Sequence, residues 1–437
     1  MNMFQLSYGE SRPTKIVSTA GKISSLATGV LEEGNQVEQK NITNLSRRRF
    51  IVVGAGAAGV IALNPELKFS APALAEEAKP LPAYLSWKNP QAMIVHSSNT
   101  LETKRDSMGT GGITPANELF VRNNLTPPGE EIVANRDAWE INFEGVKKPR
   151  AIKLGELKNL GLDSVAAVLQ CSGNGRGYFT HKASGSKWQI GAAGNVIWAG
   201  VPLRDVVKAL GGVDDGRKFI TSTGGEKLPD NLDPKKAIVE RSVPLSALET
   251  AILAWEMNGD PVPLVHGGPV RLVVPGFYGV NNIKYVKKVA FTDKETDANI
   301  QQSGYRMRPV GQKGAPTQPS MWGMTVKSWI THPIKESAKG PVQIYGVAFG
   351  GTNPVKSVEV TVDGGKTWKA ARFIGPDLGR YAWRTFVLSA DLKAGNHMIA
   401  SRATDTKGGK QPENFEENER GYGHNGWKSP AVEVAIA

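Results

Sequence analysis

Cys171 is the only cysteine among the 437 residues of the chain. The chain therefore forms no internal disulfide, and its fold cannot depend on covalent cross-links. An apolar run at residues 165–169 ends just before Cys171, and Ser172, Gly173 and Asn174 follow it. This pattern is typical of a strand that stops at a tight turn, where a side chain can face a cleft. The thiol is either a buried, inert side chain or a reactive thiolate.

The surroundings of the thiol favour chemistry. Arg176 lies close in the sequence, and a nearby cation favours the thiolate over the thiol. A thiolate is a soft ligand that suits zinc, copper, iron–sulfur clusters or molybdenum. One cysteine cannot build an iron–sulfur cluster, which needs about four protein ligands, and the six histidines lack the spacing of a zinc site. No Cys-x-x-Cys-His motif marks covalent haem, whereas a cysteine protease, which needs a partner histidine, stays open.

The net charge of +12 constrains the partners of the chain. A basic excess can attract nucleic acid, a membrane surface or small anions. The lysines and arginines are scattered, with one dense run at residues 47–49, so nucleic acid is disfavoured as a partner. The apolar run at residues 51–63 is too short to span a bilayer of about 30 Å, and no other segment approaches that length. We expect no membrane span in the mature chain.

The N-terminus has the three parts of an export signal. Arginines at 47–49 precede Phe50 and the short apolar run, and an Ala-x-Ala site follows at residues 73–75. The twin arginine with its phenylalanine resembles a Tat signal, which predicts a cleaved signal peptide at residues 1–75 and export of the folded protein to the periplasm. The Gly-x-Gly-x-x-Gly match at residues 54–59 lies inside this apolar run and is not a dinucleotide site.

The mature chain divides into two predicted domains. A stretch rich in Pro, Gly and Gln at residues 309–319 predicts a linker over 309–322. Before it, residues 76–308 mix strands and helices without the regular spacing of a doubly wound sheet, which predicts an α+β fold with a mixed α/β domain. The clearest expected elements are strands at 166–169, 270–274 and 284–291 and helices at 203–210 and 245–257.

The last 115 residues or so have the pattern of a β-sandwich. Val358, Val360 and Val362 alternate with polar residues and lead into the hairpin signal Asp-Gly-Gly at 363–365. Further strands are expected at 381–386, 397–404 and 431–436. Short alternating strands predict an immunoglobulin-like sandwich over 323–437, without the cysteine pair of antibody domains.

Three segments place basic residues beside Gly, Pro or Asn at the edge of an apolar strand. Arginine and lysine in such positions can bind an oxyanion or a phosphate, although surface ion pairs are the simpler interpretation of any one segment. The residues concerned are Phe120, Arg122, Asn123 and Asn124, then His266, Arg271, Asn282 and Lys284, and finally Arg420.

Together these segments resemble the sulfite oxidase family of molybdenum enzymes, which includes the molybdenum domain of plant nitrate reductase. The resemblance rests on Cys-Ser-Gly-Asn-x-Arg at 171–176, His-Gly-x-Pro-Val-Arg-x-x-x-Pro-Gly at 266–276 and Asp-Gly-Gly-x-Thr-Trp at 363–368. The motifs follow the order of the family at similar spacings and cover nearly all of the mature chain.

The resemblance implies a role for each conspicuous residue. Cys171 would be the single protein ligand of molybdenum, which one molybdopterin per chain would carry. The residues that would bind this cofactor are Phe120, Arg122, Asn123, Asn124, Cys171, His266, Arg271, Asn282 and Lys284. The residues that would surround the substrate anion are Arg122, Arg176, Arg420, Trp188 and Tyr305. An aspartate contact to the pterin is also expected, with Asp230 and Asp233 as candidates.

The chain departs from the animal enzymes at several positions. Asn124 replaces a histidine, Asn282 replaces a serine, and the loop between Arg176 and Trp188 is shorter. No haem or flavin domain is expected, so the resemblance implies a separate electron acceptor such as a c-type cytochrome. The C-terminal sandwich resembles the dimerisation domain of the family, which implies a homodimer.

The implied activity is the molybdenum-dependent oxidation of sulfite to sulfate. A sulfane dehydrogenase-like enzyme, or an oxyanion or sulfoxide reductase, would use the same cofactor. An exported binding protein with a merely buried cysteine is the alternative from a different class.

Overall fold

The computed structural model describes residues 79–109, 111–337 and 340–437. The predicted signal peptide at residues 1–75 lies outside this part of the chain. The described residues form one compact unit. Within the described residues, no helix has the length and apolar character needed to cross a bilayer.

The region before residue 308 is built mainly from short strands and four short α-helices of the described chain. The strands are β1 (Met93–Ser97), β2 (Thr100–Thr103), β3 (Val121–Arg122), β4 (Glu140–Glu144), β5 (Arg150–Lys153), β6 (Asp163–Gln170), β7 (Ala193–Pro202), β8 (Phe219–Gly224), β9 (Glu240–Pro244), β10 (Ile252–Met257), β11 (Asp260–Pro261), β12 (Arg271–Val273) and β13 (Val286–Thr292). The helices are α1 (Glu131–Ala134), α2 (Leu154–Leu157), α3 (Leu203–Ala209) and α4 (Pro234–Ala237).

These strands form three sheets in the described chain. β1, β2 and β3 form a small antiparallel sheet, and β11, β10, β7 and β6 form a second one, with β12 also paired to β10. The third sheet has the order β5-β4-β13-β8-β9, in which β4 and β13 are parallel. Apolar side chains of both larger sheets and of α3 share one core, to which Phe143, Ile220 and Phe291 contribute from one sheet and Val201 and Leu253 from the other.

The helix expected at 245–257 is wrong. Leu245–Glu249 forms a 3₁₀ turn, and the rest of the segment is β10, between β7 on one edge and β11 and β12 on the other. A short apolar run fits a buried strand as well as a buried helix, and here backbone pairing within the sheet decides. The helix at 203–210 is confirmed as α3, and the strands expected at 166–169, 270–274 and 284–291 correspond to β6, β12 and β13.

The C-terminal region is all strand, as predicted. Its strands are β14 (Lys327–His332), β15 (Gly340–Phe349), β16 (Val355–Thr361), β17 (Lys369–Ile374), β18 (Arg384–Leu392), β19 (Gly395–Asp405) and β20 (Val432–Ile436). They pair in the order β14-β15-β18-β17-β16-β19-β20. The Oγ atoms of Ser328 on β14 and Ser401 on β19 lie 3.0 Å apart, so the sheet curls back on itself into a barrel-like sandwich.

Two irregular segments connect the C-terminal region to the first one. Residues 309–319 contain no regular strand or helix, and the backbone N–H of Gly311 donates to Oε2 of Glu419 at 2.8 Å. The long segment between β19 and β20 returns to the end of β6, where the N–H of Gly423 donates to the carbonyl of Ser172 at 2.9 Å. The C-terminal region therefore reaches the turn that carries Cys171.

Candidate active site

Cys171 follows β6 directly and begins a tight turn, as the sequence predicts. Its backbone N–H donates to the carbonyl of Ala192 at 2.9 Å, and its carbonyl accepts from the N–H of Asn174 at 3.0 Å. The Asn174 side chain holds the turn from both sides, because Nδ2 donates to Oε1 of Gln170 at 3.0 Å and Oδ1 accepts from the N–H of Ala192 at 3.1 Å. The thiol is 8% exposed, and this remaining exposure faces a cavity.

The cavity in front of Cys171 spans about 670 Å³, a volume that includes its opening to solvent. It brings together residues from seven separated segments of the chain. The sequence-predicted residues that line it are Phe120, Arg122, Asn123, Asn124, Cys171, His266, Arg271, Asn282, Lys284 and Tyr305. The sequence therefore located the cavity, although the role of each residue stays a prediction.

Lys284 links the end of β3 to the turn before Gly267 at the cavity wall. Its Nζ donates to Oδ1 of Asn123 at 2.5 Å, to the carbonyl of Val265 at 2.6 Å and to the carbonyl of Arg122 at 3.2 Å. Burial holds the pKa of Lys284 well below its usual range, and neighbouring cations add to this effect. Gly267 makes the close approach possible, because its φ is +111° and a Cβ there would lie 3.0 Å from Cα of Lys284.

Arg122 is an arginine that lines the cavity together with Cys171. Burial lowers its pKa, but the neighbouring Tyr305, Cys171 and Tyr422 outweigh this effect and raise the pKa overall. The guanidinium donates to the carbonyl of Asn123, and Arg122 lines the cavity together with Tyr305. A permanent positive charge therefore lies next to both the thiol and the phenol.

His266 is sealed from solvent and has an unexpected partner. Its Nε2 lies 2.8 Å from Nζ of Lys88, and its carbonyl accepts from a guanidinium nitrogen of Arg271 at 2.8 Å. Burial, followed by the charges of Lys88, Lys284 and Arg271, holds the pKa of His266 well below its usual range. The imidazole is therefore neutral at neutral pH.

Several buried polar atoms around the cavity have no hydrogen-bond partner among the described residues. They are Nδ2 of Asn123, Oγ of Ser172, Nε of Arg271 and Oε2 of Glu226. Burial lowers the pKa of Arg271 to about 10, which leaves it charged at neutral pH. Buried polar groups are normally paired, so this set fits a ligand that carries both acceptors and donors.

Glu226 is a cavity residue that sequence reasoning missed. Burial raises the pKa of its carboxyl to about 7. The aspartates expected from the sequence, Asp230 and Asp233, are both exposed and do not line the cavity. Asp233 instead caps α4, where its side chain accepts from the N–H of Lys235 at 3.0 Å. The available signal was the position of Glu226 shortly after Gly224, at the end of β8.

Tyr305 follows a π-helical turn at Ile300–Gly304. Arg241 is buried beneath this turn, donates to the carbonyl of Ile300 at 3.0 Å and places its guanidinium carbon 5.7 Å from the centroid of the Tyr305 ring. Burial lowers the pKa of Arg241 to about 10. Arg241 therefore supports the turn that presents Tyr305 to the cavity.

Arg176, Arg420 and Trp188 are not among the residues that line the cavity. Nε of Arg176 donates to the carbonyl of Arg420 at 2.9 Å, and the guanidinium carbons of the two residues lie 5.4 and 6.0 Å from the ring centroid of Tyr422. Tyr422 in turn stacks on Tyr305 at 5.1 Å. The Tyr422 ring therefore lies between the two arginines and Tyr305, which is part of the cavity wall.

Trp188 is fully buried behind the cavity wall. The centroid of its ring lies 6.4 Å from that of Phe120, which does line the cavity. Asn282 lines the cavity, but its side chain bonds within its own loop, where Oδ1 accepts from the N–H of Val274 at 2.6 Å and Nδ2 donates to the carbonyl of Tyr278 at 3.2 Å. Asn282 therefore shapes the wall and offers no free polar group, whereas Nε1 of the buried Trp188 has no partner among the described residues.

The arrangement has two chemically different sides. Lys284, Arg271 and His266 with the unpartnered donors suit an organic cofactor that carries a phosphate. Arg122 and Tyr305, with the two arginines behind Tyr422, suit a small anion next to Cys171. A site of this kind combines a soft metal ligand with an anion pocket.

Comparison with known families agrees with this description. Residues 128–300 match the oxidoreductase molybdopterin binding domain, and residues 318–435 match the Mo-co oxidoreductase dimerisation domain. The fold is shared with the crystal structure of the sulfane dehydrogenase SoxCD from Paracoccus pantotrophus, at 24% identity and a TM-score of 0.65, over 86% of this chain and 97% of that chain. The fold and the site therefore define a molybdopterin-dependent oxidoreductase.

Two curated relatives specify the family. The mitochondrial sulfite oxidase of Drosophila melanogaster is 32% identical over 348 residues, which is 74% of this chain and 59% of that protein. The sulfite oxidase of Gallus gallus is 31% identical over 318 residues, which is 69% of this chain and 68% of that protein. The chain belongs to the sulfite oxidase family.

Proposed function

We propose that this protein oxidises sulfite to sulfate at the Cys171 cavity and passes the electrons to a separate acceptor. The observation that carries the proposal is the position of Arg122, which lines the same cavity as Cys171 and Tyr305. The molybdenum of the bound cofactor would supply the two-electron oxygen-transfer chemistry. The sulfite oxidase relatives favour sulfite as the substrate.

The residues of the cavity fit such a cofactor. Cys171 would supply the thiolate ligand to molybdenum, and Arg271, whose Nε has no partner among the described residues, would bind the phosphate. The Nζ of Lys284 already donates to three acceptors, so Lys284 would act by holding Asn123 at the cavity wall. The unpartnered Nδ2 of Asn123 is a donor for a pterin acceptor, and the unpartnered oxygen of Glu226 is an acceptor for a pterin N–H. These orphaned atoms have the donor and acceptor character that an aminopyrimidine ring and a phosphate require.

The protein side of the proposed reaction is electrostatic. The raised pKa of Arg122 keeps its guanidinium charged, and a partly buried cation attracts a sulfite anion more strongly than a fully exposed one. Arg122 and Tyr305 line the same cavity, so guanidinium N–H groups and the phenol O–H can donate to oxygens of the anion. Preorganised donors of this kind lower a barrier without reorganising during the reaction.

The proposed assembly and location follow the family and the N-terminal signal. The match to a dimerisation domain supports a homodimer, and the arginines at 47–49 support export through the Tat pathway to the periplasm. We expect a c-type cytochrome as the acceptor. Sedimentation velocity and cell fractionation test the dimer and the location, with lysines in place of Arg47 and Arg48 expected to keep the chain in the cytoplasm.

The decisive experiment measures molybdenum and turnover on one sample of protein exported by its own signal. About one molybdenum per chain with sulfite-dependent reduction of cytochrome c would support the proposal. Molybdenum without sulfite turnover would contradict sulfite as the substrate, and assays with sulfane compounds, or with oxyanions and sulfoxides under a reduced dye, would then identify the reaction. Folded protein without molybdenum would favour an exported binding protein.

A further inference from the structure

Tyr422 lies between the cavity wall and two arginines. Its ring stacks on that of Tyr305, with the two planes 9° from parallel. The guanidinium carbons of Arg176 and Arg420 both lie within about 6 Å of the same ring, a distance at which cation–π attraction operates. One side chain from the C-terminal region therefore contacts a residue of the cavity and both arginines that are proposed to attract the anion.

The backbone around Tyr422 is held tightly. Its N–H donates to Oδ1 of the buried Asn418 at 2.9 Å, and its carbonyl accepts from Nδ2 of the same residue at 2.8 Å. The preceding Gly421 has a φ of +61°, and a Cβ there would lie 2.7 Å from Cγ of Arg176. The Tyr422 ring is 3% exposed, so it cannot shift without displacing its neighbours.

The ring of Tyr422, more than its hydroxyl, makes these contacts. The hydroxyl has only a long hydrogen bond, to the carbonyl of Gly304 at 3.4 Å. An aromatic face carries negative charge density and offsets the repulsion between two neighbouring guanidiniums. Without the ring, nothing would offset the repulsion between the guanidiniums of Arg176 and Arg420, and Tyr305 would lose its stacking partner.

We propose that Tyr422 is a positioning residue for the substrate anion. The Tyr422 ring holds Tyr305 by stacking, and it holds Arg176 and Arg420 by cation–π contact. The identity of the anion as sulfite rests on the proposed function, whereas the contacts of Tyr422 do not. The C-terminal region thus contributes to the anion pocket through a ring as well as through Arg420.

The test compares Tyr422→Phe, which keeps the ring, with Tyr422→Leu, which removes it. We measure the Kd for sulfate by calorimetry and the KM and kcat for sulfite on cofactor-loaded enzyme. Tyr422→Leu should raise the Kd and the KM about tenfold, and Tyr422→Phe should stay within about threefold of the wild type. Tyr345→Leu, which removes a half-buried ring from β15 of the same region, is the matched control and should change neither constant.

Equal constants for Tyr422→Leu and the wild type would overturn the proposal, as would equal losses in Tyr422→Leu and Tyr345→Leu or a wild type that binds no sulfate. If Tyr422→Leu does not fold, Tyr422→Met makes the same comparison with a more flexible apolar side chain. A molybdenum-loaded wild type that binds sulfate but does not oxidise sulfite would contradict the proposed function alone. In that case the ratio of sulfate Kd values still decides the role of Tyr422.

Discussion

Nζ of Lys88 lies 2.8 Å from Nε2 of His266, and both side chains are shielded from water. The same Nζ donates to the carbonyls of Ala116 and Leu119 at 2.6 and 2.7 Å. Burial lowers the pKa of Lys88, and its Nζ contacts two carbonyls and one imidazole nitrogen. Contact with Lys88 therefore sets the orientation of the neutral imidazole and which of its nitrogens carries the proton.

Replacement of Lys88 should weaken both the fold and the cofactor site. In Lys88→Met, the carbonyls of Ala116 and Leu119 and Nε2 of His266 lose their partner, which should lower the free energy of unfolding by about 2 kcal/mol or more. Urea unfolding measures this loss, and molybdenum content should fall because His266 loses its fixed tautomer. The exposed Lys148→Met is the control, and equal stability of the two variants would contradict the role of Lys88.

The sequence predicted the surroundings of Cys171 because the signals there are local. The end of β6, the turn after it and Asn174 follow each other within a few residues, and the structure places them as expected. The other cavity residues were predicted from the family resemblance. The order of the family motifs indicates which distant segments pack together, and the residues alone do not.

Lys88, Glu226 and Tyr422 could not be predicted in the same way. Each is a single residue without a motif, and each reaches the site only because a distant segment packs there. Lys88 contacts His266 across 178 positions of the chain. The same limit explains the segment at 245–257, where pairing with strands remote in sequence outweighs a local pattern.

Replacement of the thiol should abolish activity and preserve the fold. In Cys171→Ser, a hydroxyl of similar size replaces the soft ligand, and an alcohol is a poor ligand for a metal that prefers thiolate. Sulfite turnover should be lost, and the melting temperature of the cofactor-free protein should stay close to that of the wild type. The exposed Ser164→Ala at the start of β6 serves as the control and should retain molybdenum, whereas turnover in Cys171→Ser would contradict the molybdenum assignment.

Loss of the Arg176 charge should affect anionic substrates selectively. Arg176→Gln removes a cation that lies 5.4 Å from the Tyr422 ring and a hydrogen bond to the carbonyl of Arg420. The KM for an anion should rise by about tenfold or more, and that for any neutral substrate should change little. Steady-state assays at several salt concentrations measure the effect, with the exposed Arg150→Gln as control, and an unchanged KM would remove Arg176 from the pocket.

An ion pair beside the two arginines should make the stability depend on pH. Glu417 accepts from the N–H and the hydroxyl of Thr180 at 2.7 and 2.8 Å and pairs with His181. The bond to Glu417 raises the pKa of His181, the largest cause of its shift. Burial opposes ionisation of Glu417, but the bonds from Thr180 and His181 lower its pKa to about 2.

The signs of these two shifts define a pH window. The contribution of His181 is complete below its unfolded pKa of about 6.5 and is lost as the pH rises through the raised value. The contribution of Glu417 is complete above about 4.5 and is lost as the pH falls towards about 2. The melting temperature should therefore differ most between wild type and His181→Gln at about pH 5 to 6 and least at about pH 9. The partly exposed His397→Gln on β19 is the control, and a difference that is constant with pH would contradict the ion pair.

Glu226 should also make the cofactor-free protein less stable as the pH rises, over a lower pH range than His181. Burial raises the pKa of this carboxyl from 4.5 to about 7. A carboxyl that binds more protons in the folded state lowers stability as the pH rises from about 4.5 to about 7. Glu226→Gln should therefore melt at a higher temperature than the wild type at about pH 8 and at a similar temperature at about pH 4.

The same variant should hold the cofactor less well. The amide keeps one acceptor oxygen but replaces the other with an N–H donor, so a pterin N–H loses a charged partner. Glu226→Gln should be purified with less molybdenum per chain than the exposed control Glu249→Gln, despite its more stable cofactor-free fold. A gain in stability without a loss of molybdenum would show that the carboxylate is buried at the cavity wall without contacting the cofactor.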